Sequence, residues 1–181
     1  MLPQTPADSF SGRSGTVSER LRRERWQHPE LVIWGAHGGA GTSTLATWLQ
    51  PAWDMGAMRP QPNPQHPAIV SRGRALVVTC RSTAWSAAQA TKAVAAVICQ
   101  GGQVAVIAVV SDGWPEPATA NSRLRLLEPH AGLVIRIPFI PGLRLADDPV
   151  SVPLPRRAVR AVAQIQAACG RTFPIPRPQE T

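Results

Sequence analysis

Four short apolar runs mark the chain, and segments with helical spacing separate and follow them. Unbroken apolar runs of this length are typical of strands that are covered on both faces of a parallel sheet. The predicted strands are Leu31–His37, Arg74–Cys80, Gln103–Val110 and Gly132–Ile137. The predicted helices are Thr42–Gln50, Ser86–Gln100, Ala118–Glu128 and Arg156–Cys169, the last of them ended by Gly170.

Alternation of strands and helices predicts an α/β fold, a small doubly wound parallel sheet of about four strands with right-handed crossovers. The length of 181 residues fits one domain, which we place at residues 19–170. Residues 1–18 are predicted to be a disordered tail and residues 171–181 a Pro-rich tail. Pro51–Pro67 contains five prolines and is predicted to be a linker inside the domain, because proline cannot donate to a helix or an inner strand.

Positive charge exceeds negative charge, with 19 Lys+Arg against 11 Asp+Glu and a formal net charge of +8. The excess is spread along the chain, and Lys92 is the single lysine. Glu19–Gln27 is a candidate arginine-rich helix, either solvated or docked on a partner. Net charge alone gives weak affinity for polyanions, but no nucleic-acid-binding motif is present.

Neither a membrane span nor an apolar leader is indicated, because the longest aliphatic run is Val104–Val110 and prolines interrupt the first residues. We therefore expect a cytoplasmic protein without a membrane partner. Cys80, Cys99 and Cys169 have the spacing of neither a disulfide framework nor a metal site. We expect buried thiols, since two of the cysteines lie in apolar runs.

The segment from Trp34 to Ala46 joins the first predicted strand to the first predicted helix through a glycine-rich loop. Glycines permit the turns that direct successive backbone N–H groups into one concavity, and a helix start adds further donors. This geometry favours an anion, and phosphate in particular. The alternative is a tight turn without a ligand, in which Thr42, Ser43 or Thr44 only caps the helix.

The same segment resembles the deviant phosphate loop of ParA/MinD-like P-loop NTPases, whose pattern is Lys-Gly-Gly-x-Gly-Lys-Ser/Thr. Gly38, Gly39, Gly41 and Ser43 match this pattern, but His37 stands at the signature lysine and Thr42 at the phosphate-gripping lysine. Residues 30–150 also look like a degenerate actinobacterial P-loop-like family with the loop Gly-Ala-His-Gly-Gly-Ala-Gly, a likeness that implies no activity.

The resemblance implies ATP or GTP with Mg²⁺ as the ligand and Ser43 as a ligand of the metal. Asp112, at the end of a strand, matches the family position near the base. Independently of the resemblance, Trp85 and Trp114 follow the ends of predicted strands, where three roles are open to an indole: stacking on a base, covering an apolar patch of a partner, or shielding the rim of the core. The implied contacts are Gly35, His37, Gly38, Gly39, Ala40, Gly41, Thr42, Ser43, Thr44, Trp85, Asp112 and Trp114.

Catalysis is not expected, because both lysines and the hydrophobic strand ending in the Walker B Asp are missing. A charged hydrogen bond to phosphate contributes ~1.5–3 kcal/mol, so loss of the lysine weakens binding roughly 10- to 150-fold. The sequence predicts a non-catalytic nucleotide-binding or protein-interaction module with an unidentified protein partner. The family resemblance implies that this module works together with the machinery of mobile elements. Two alternatives stay open: a weak ATPase completed by a partner, and an arginine-rich nucleic-acid-binding accessory protein. A cation beside the loop is not expected.

Overall fold

The computed structural model describes residues 31–59 and 69–172, the side chains of the last two excepted. It confirms the α/β fold with a parallel sheet, which has five strands within the described ranges. The strands are β1 Leu31–Gly35, β2 Ala52–Ala57, β3 Ala75–Arg81, β4 Val104–Val110 and β5 Ala131–Ile137. The helices are α1 Thr42–Trp48, α2 Ala84–Cys99, α3 Ala118–Leu127 and α4 Arg156–Thr172.

All neighbouring strands pair in parallel, in the order β2-β1-β3-β4-β5. The chain therefore moves outward from β1 to β2, returns across β1 to β3, and continues to β5 in the other direction. In open α/β sheets, ligands bind beyond the carboxyl ends of the strands at such a reversal of strand order. The reversal lies between β1 and β3, and the glycine-rich loop follows β1 directly.

Two apolar cores lie on opposite faces of the sheet, which is the arrangement expected of a doubly wound fold. Side chains alternate along β1, so that Val32 and Trp34 pack with α2 and α3 while Leu31 and Ile33 pack with α1 and α4. Helices cover both faces of the central strands, which explains why those strands are apolar at nearly every position.

The prediction that Pro51–Pro67 is entirely a linker is wrong, because Ala52–Ala57 forms β2. β2 is an edge strand that pairs with β1 alone in the described sheet, so it needs no apolar run. Trp53 and Met55 are each 45% exposed, and Asp54 accepts a hydrogen bond from the N–H of Gly56. The part of the chain that the structure describes therefore forms five strands instead of about four.

The last helix differs from its prediction at the carboxyl end, because α4 continues through Gly170 to Thr172. A glycine inside a helix costs only ~1 kcal/mol relative to alanine, so Gly170 by itself does not end α4. Residues 1–18, Glu19–Gln27 and 173–181 lie outside the described residues, as does most of the remaining linker.

Burial separates the three cysteines. Cys80 and Cys169 are buried as expected, whereas Cys99 is exposed, so a buried thiol at this third position is wrong. In the described ranges, no helix is long and apolar enough to cross a membrane.

Candidate functional site

The loop between β1 and α1 begins with a close approach that only glycine permits. A Cβ on Gly35 would lie 2.5 Å from Oγ1 of Thr42 and 3.1 Å from the carbonyl oxygen of His37. Thr42 is buried, and its hydroxyl is 3.0 Å from the hydroxyl of Thr79 on the neighbouring β3. The first residue of α1 is therefore anchored to the sheet directly beneath the loop.

Left-handed backbone conformations turn the loop back toward α1. Gly39 has a φ of 75° and Gly41 a φ of 89°, values that residues with a side chain rarely adopt. Gly41 is the N-cap of α1, and no side chain caps this helix. Among the described residues, the predicted capping by Thr42, Ser43 or Thr44 is therefore wrong, whereas a tight turn without a ligand stays an alternative.

The loop lines a cavity of about 390 Å³, which lies within the size range of small-molecule pockets, ~300–1,000 Å³. Eight of the predicted contacts meet here, and Gly35 supports them from below. Ala40 is buried, whereas Gly38, Gly39 and Ser43 are exposed to solvent. The lining residues are His37, Gly38, Gly39, Ala40, Gly41, Thr42, Ser43, Thr44, Gly56, Ala57 and Arg81.

A cation stands beside the loop, contrary to the sequence-based expectation. Arg81, the last residue of β3, lines the cavity, and its Nε–H donates to the carbonyl oxygen of Gly39 at 2.9 Å. β3 is the neighbour of β1, so the end of β3 reaches the loop that follows β1. The sequence shows an arginine directly after an apolar run, but it does not show that this run becomes the neighbour of β1.

His37 connects the loop to the start of α2. The backbone N–H of Arg81 donates to Oγ of the buried Ser86 at 2.6 Å, so the Ser86 hydroxyl is available to donate to Nε2 of His37. The Nδ1–H of His37 then donates to the carbonyl oxygen of Gly38 at 2.7 Å. The imidazole also meets the ring of Trp85 edge-on, with 4.8 Å between ring centroids. His37 thus positions the loop and brings an exposed indole next to it.

A second cavity, of about 210 Å³, adjoins the first and shares Gly41, Thr44 and Arg81 with it. Its lining is mixed: Trp48 and Phe139 are among its apolar residues, and Ser111 and Arg144 are among its polar ones. The guanidinium of Arg144 stacks over Phe139 at 4.9 Å from the ring centroid. The indole Nε1 of Trp48 is buried without a hydrogen-bond partner among the described residues.

Asp112 and Trp114 lie apart from the loop cavity. Oδ1 of Asp112 accepts hydrogen bonds from the hydroxyl of Ser82 at 3.3 Å and from the backbone N–H of Trp114 at 3.1 Å. Neither residue lines either of the two cavities, and Trp114 is 77% exposed. The structure therefore does not bring these two predicted contacts together with the loop.

The described residues do not fit a resident metal ion. Among them, no group of three or more His, Cys, Asp or Glu residues could hold one, and no carboxylate lines the loop cavity. Mg²⁺ prefers carboxylates together with substrate phosphates, so the hydroxyl of Ser43 alone is a poor site.

Comparison with known proteins does not identify a family. No family model and no curated protein matches the chain. Among solved structures, the chain is similar to a crystal structure of a mutation variant of SsGBP, at 11% identity and a TM-score of 0.45. The match covers 88% of this chain and 66% of that chain, slightly less than two thirds of its length. A likeness at this level carries no argument about function.

Proposed function

We propose that this protein is a non-catalytic, P-loop-like module that binds a phosphate-bearing ligand, a nucleotide by class, in the loop cavity. The observation that carries the proposal is the position of Arg81, whose guanidinium lies at the wall of a cavity otherwise formed by a glycine-rich loop. Backbone turns of this kind form anion-binding concavities, and a guanidinium matches the geometry of phosphate oxygens.

Arg81 offsets the missing lysines of the loop. Its Nε–H is engaged by Gly39, and within the described part of the chain its two Nη groups have no partner. A charge-assisted hydrogen bond from these groups to a phosphate contributes ~1.5–3 kcal/mol, the same size as the lost lysine contact. We therefore expect the affinity for phosphate to be that of a phosphate-binding loop with one cationic side chain, which here comes from β3.

The second cavity supports a nucleotide over a simple phosphate. It shares Arg81 and two loop residues with the first cavity, so one ligand can extend from one into the other. Trp48 lines this cavity and offers an aromatic side chain to a base, whereas the ring of Phe139 is covered by the guanidinium of Arg144. A phosphate at the loop and a base beside Trp48 would use both cavities.

Catalysis of phosphoryl transfer is not part of the proposal. Such catalysis depends on several cations around the transferring group and on carboxylates that hold the metal. Among the described residues, the lining of the loop cavity contains one arginine and no carboxylate. An ATPase completed by a partner protein stays a prediction, and hydrolysis that appears only in a mixture with that partner would support it.

Tryptophan fluorescence tests the proposal, because the ring contact between Trp85 and His37 links an indole to the loop. We expect ATP or GTP with Mg²⁺ to change the emission weakly, with saturation at high micromolar concentrations or above. Trp85→Phe should remove the part of the change that arises beside His37, while Trp48, which lines the second cavity, keeps the remainder, and affinity should stay intact. A flat titration to millimolar nucleotide would mean that the loop is a turn without a ligand.

A further inference from the structure

Two exposed tryptophans lie near the carboxyl edge of the sheet. Trp85, which is 60% exposed, is in the first turn of α2, and Trp114, which is 77% exposed, is in the loop that follows β4. The hydrogen bond between Ser82, just before α2, and Asp112, just before Trp114, ties these two segments together. Exposed aromatic side chains on two linked segments are a feature of binding surfaces.

Arginines surround the two indoles. Nη1 of Arg123 donates to the carbonyl oxygen of Ala84, next to Trp85, and Nη2 of Arg144 donates to the carbonyl oxygen of Asp112, each at 3.3 Å. Arg157 lines a cavity of about 250 Å³ together with Trp114. We call Trp85, Trp114, Arg123, Arg144 and Arg157 the indole–arginine surface.

Few carboxylates among the described residues neutralise the positive charge of this surface. In the described ranges, none of its three arginines forms an ion pair, and the bonds of Arg123 and Arg144 go to neutral carbonyl oxygens. Glu116 is taken up by Arg136, with Nε to Oε2 at 2.8 Å. Asp112 remains as the acidic group within the surface, so the surface is positive overall and its arginines are partly held in place.

We propose that the indole–arginine surface binds single-stranded nucleic acid. Trp85 and Trp114 stack on unpaired bases, and the arginines contact backbone phosphates, which is the combination used by binders of single strands without sequence preference. The positive charge of the surface favours a polyanion. The exposed indoles favour a single strand over a duplex, because unpaired bases can stack on an indole whereas a duplex hides the faces of its bases. The proposal does not depend on the loop cavity.

Fluorescence anisotropy of the full chain with a labelled oligothymidylate of about 15 nucleotides tests the proposal. We expect Trp114→Ala to weaken binding about 5- to 150-fold, because stacking on one base has that value. With three phosphate contacts, affinity should fall about 20-fold between ~50 and ~200 mM salt. Trp114 is so exposed that its removal should leave the fold intact, which circular dichroism checks.

Matched variants separate stacking from charge. Trp53→Ala removes a half-exposed indole on the distant edge strand, and Arg125→Gln removes a charge from the same helix as Arg123. Both should bind the oligonucleotide as the wild type does, within about twofold for the lost charge. Arg81→Gln should weaken nucleotide binding while Trp114→Ala should not, so this proposal and the proposed function can fail separately.

Three results would overturn the proposal. One is absence of binding at ~50 mM salt, where electrostatic attraction is strongest. A second is equal loss of affinity in Trp114→Ala and Trp53→Ala. The third is binding of a DNA duplex of the same length, or of polyglutamate, as tight as that of the oligothymidylate. The duplex result would show that charge alone explains binding, and the polyglutamate result would show that the surface suits an acidic protein.

Discussion

Replacement of Gly35 by alanine tests whether the loop is built as described. The new Cβ would lie 2.5 Å from Oγ1 of Thr42, a separation that packed atoms do not adopt, so one of them must move. Thr42 cannot swing aside at no cost, because its hydroxyl is bonded at 3.0 Å to the buried hydroxyl of Thr79. Overpacking of this kind costs about 1–3 kcal/mol, and more if the hydroxyl of Thr79 loses its partner.

Denaturant unfolding followed by circular dichroism measures this cost, and each kcal/mol should also lower Tm by about 2–4 °C. Gly38→Ala is the matched control, since a Cβ there meets nothing within 4 Å and we expect a change within ~0.5 kcal/mol. Thr42→Ala removes the clashing oxygen, so Gly35→Ala should cost less in that background. Equal effects at Gly35 and Gly38, or strict additivity with Thr42→Ala, would refute the geometry.

Buried groups near the sheet supply two further predictions. Thr79→Val should destabilise the fold by about 1–3 kcal/mol in denaturant unfolding by leaving the Thr42 hydroxyl unpaired, and a loss just as large in Thr79→Ser would contradict this. Burial raises the pKa of Cys80 and of Cys169 to about 12, so a thiol reagent at mildly alkaline pH should label Cys99 alone among the three. Because folding holds those two thiols protonated, the unfolding free energy should fall as pH rises from 9.0 toward about 12, and a flat profile would show that the thiols are not buried.

Local patterns were sufficient for the central part of the fold. Strands covered on both faces must be apolar throughout, so β3 and β4 could be located from their composition alone. β2 could not, because an edge strand with exposed Trp53 and Met55 carries no such signal and two prolines border the region. The hydrophobic pattern therefore predicts the strands of the core but not the edge strand.

The residues of the candidate site also fall into two groups, those that the sequence could predict and those that it could not. Its glycines could be found because a left-handed turn and a close backbone approach restrict the residue type at Gly35, Gly39 and Gly41. Arg81 could not be identified from the sequence, because the spacing along a chain does not tell which strands become neighbours. It is the adjacency of β1 and β3 that brings this arginine to the loop. The family resemblance implies Asp112 as a contact near the base, yet its carboxylate accepts hydrogen bonds from Ser82 and from the backbone of Trp114.

The proposed phosphate site depends most on Arg81, the cation beside the loop. Isothermal titration calorimetry with ATP and Mg²⁺ should show binding about 10- to 150-fold weaker in Arg81→Gln than in the wild type, the cost of one charged contact to phosphate. Arg81→Lys keeps the charge but loses the bond to Gly39, so an intermediate affinity is expected. Arg125→Gln, a charge removed elsewhere, should be unchanged. Equal affinities in the wild type, Arg81→Gln and Arg125→Gln would contradict the account.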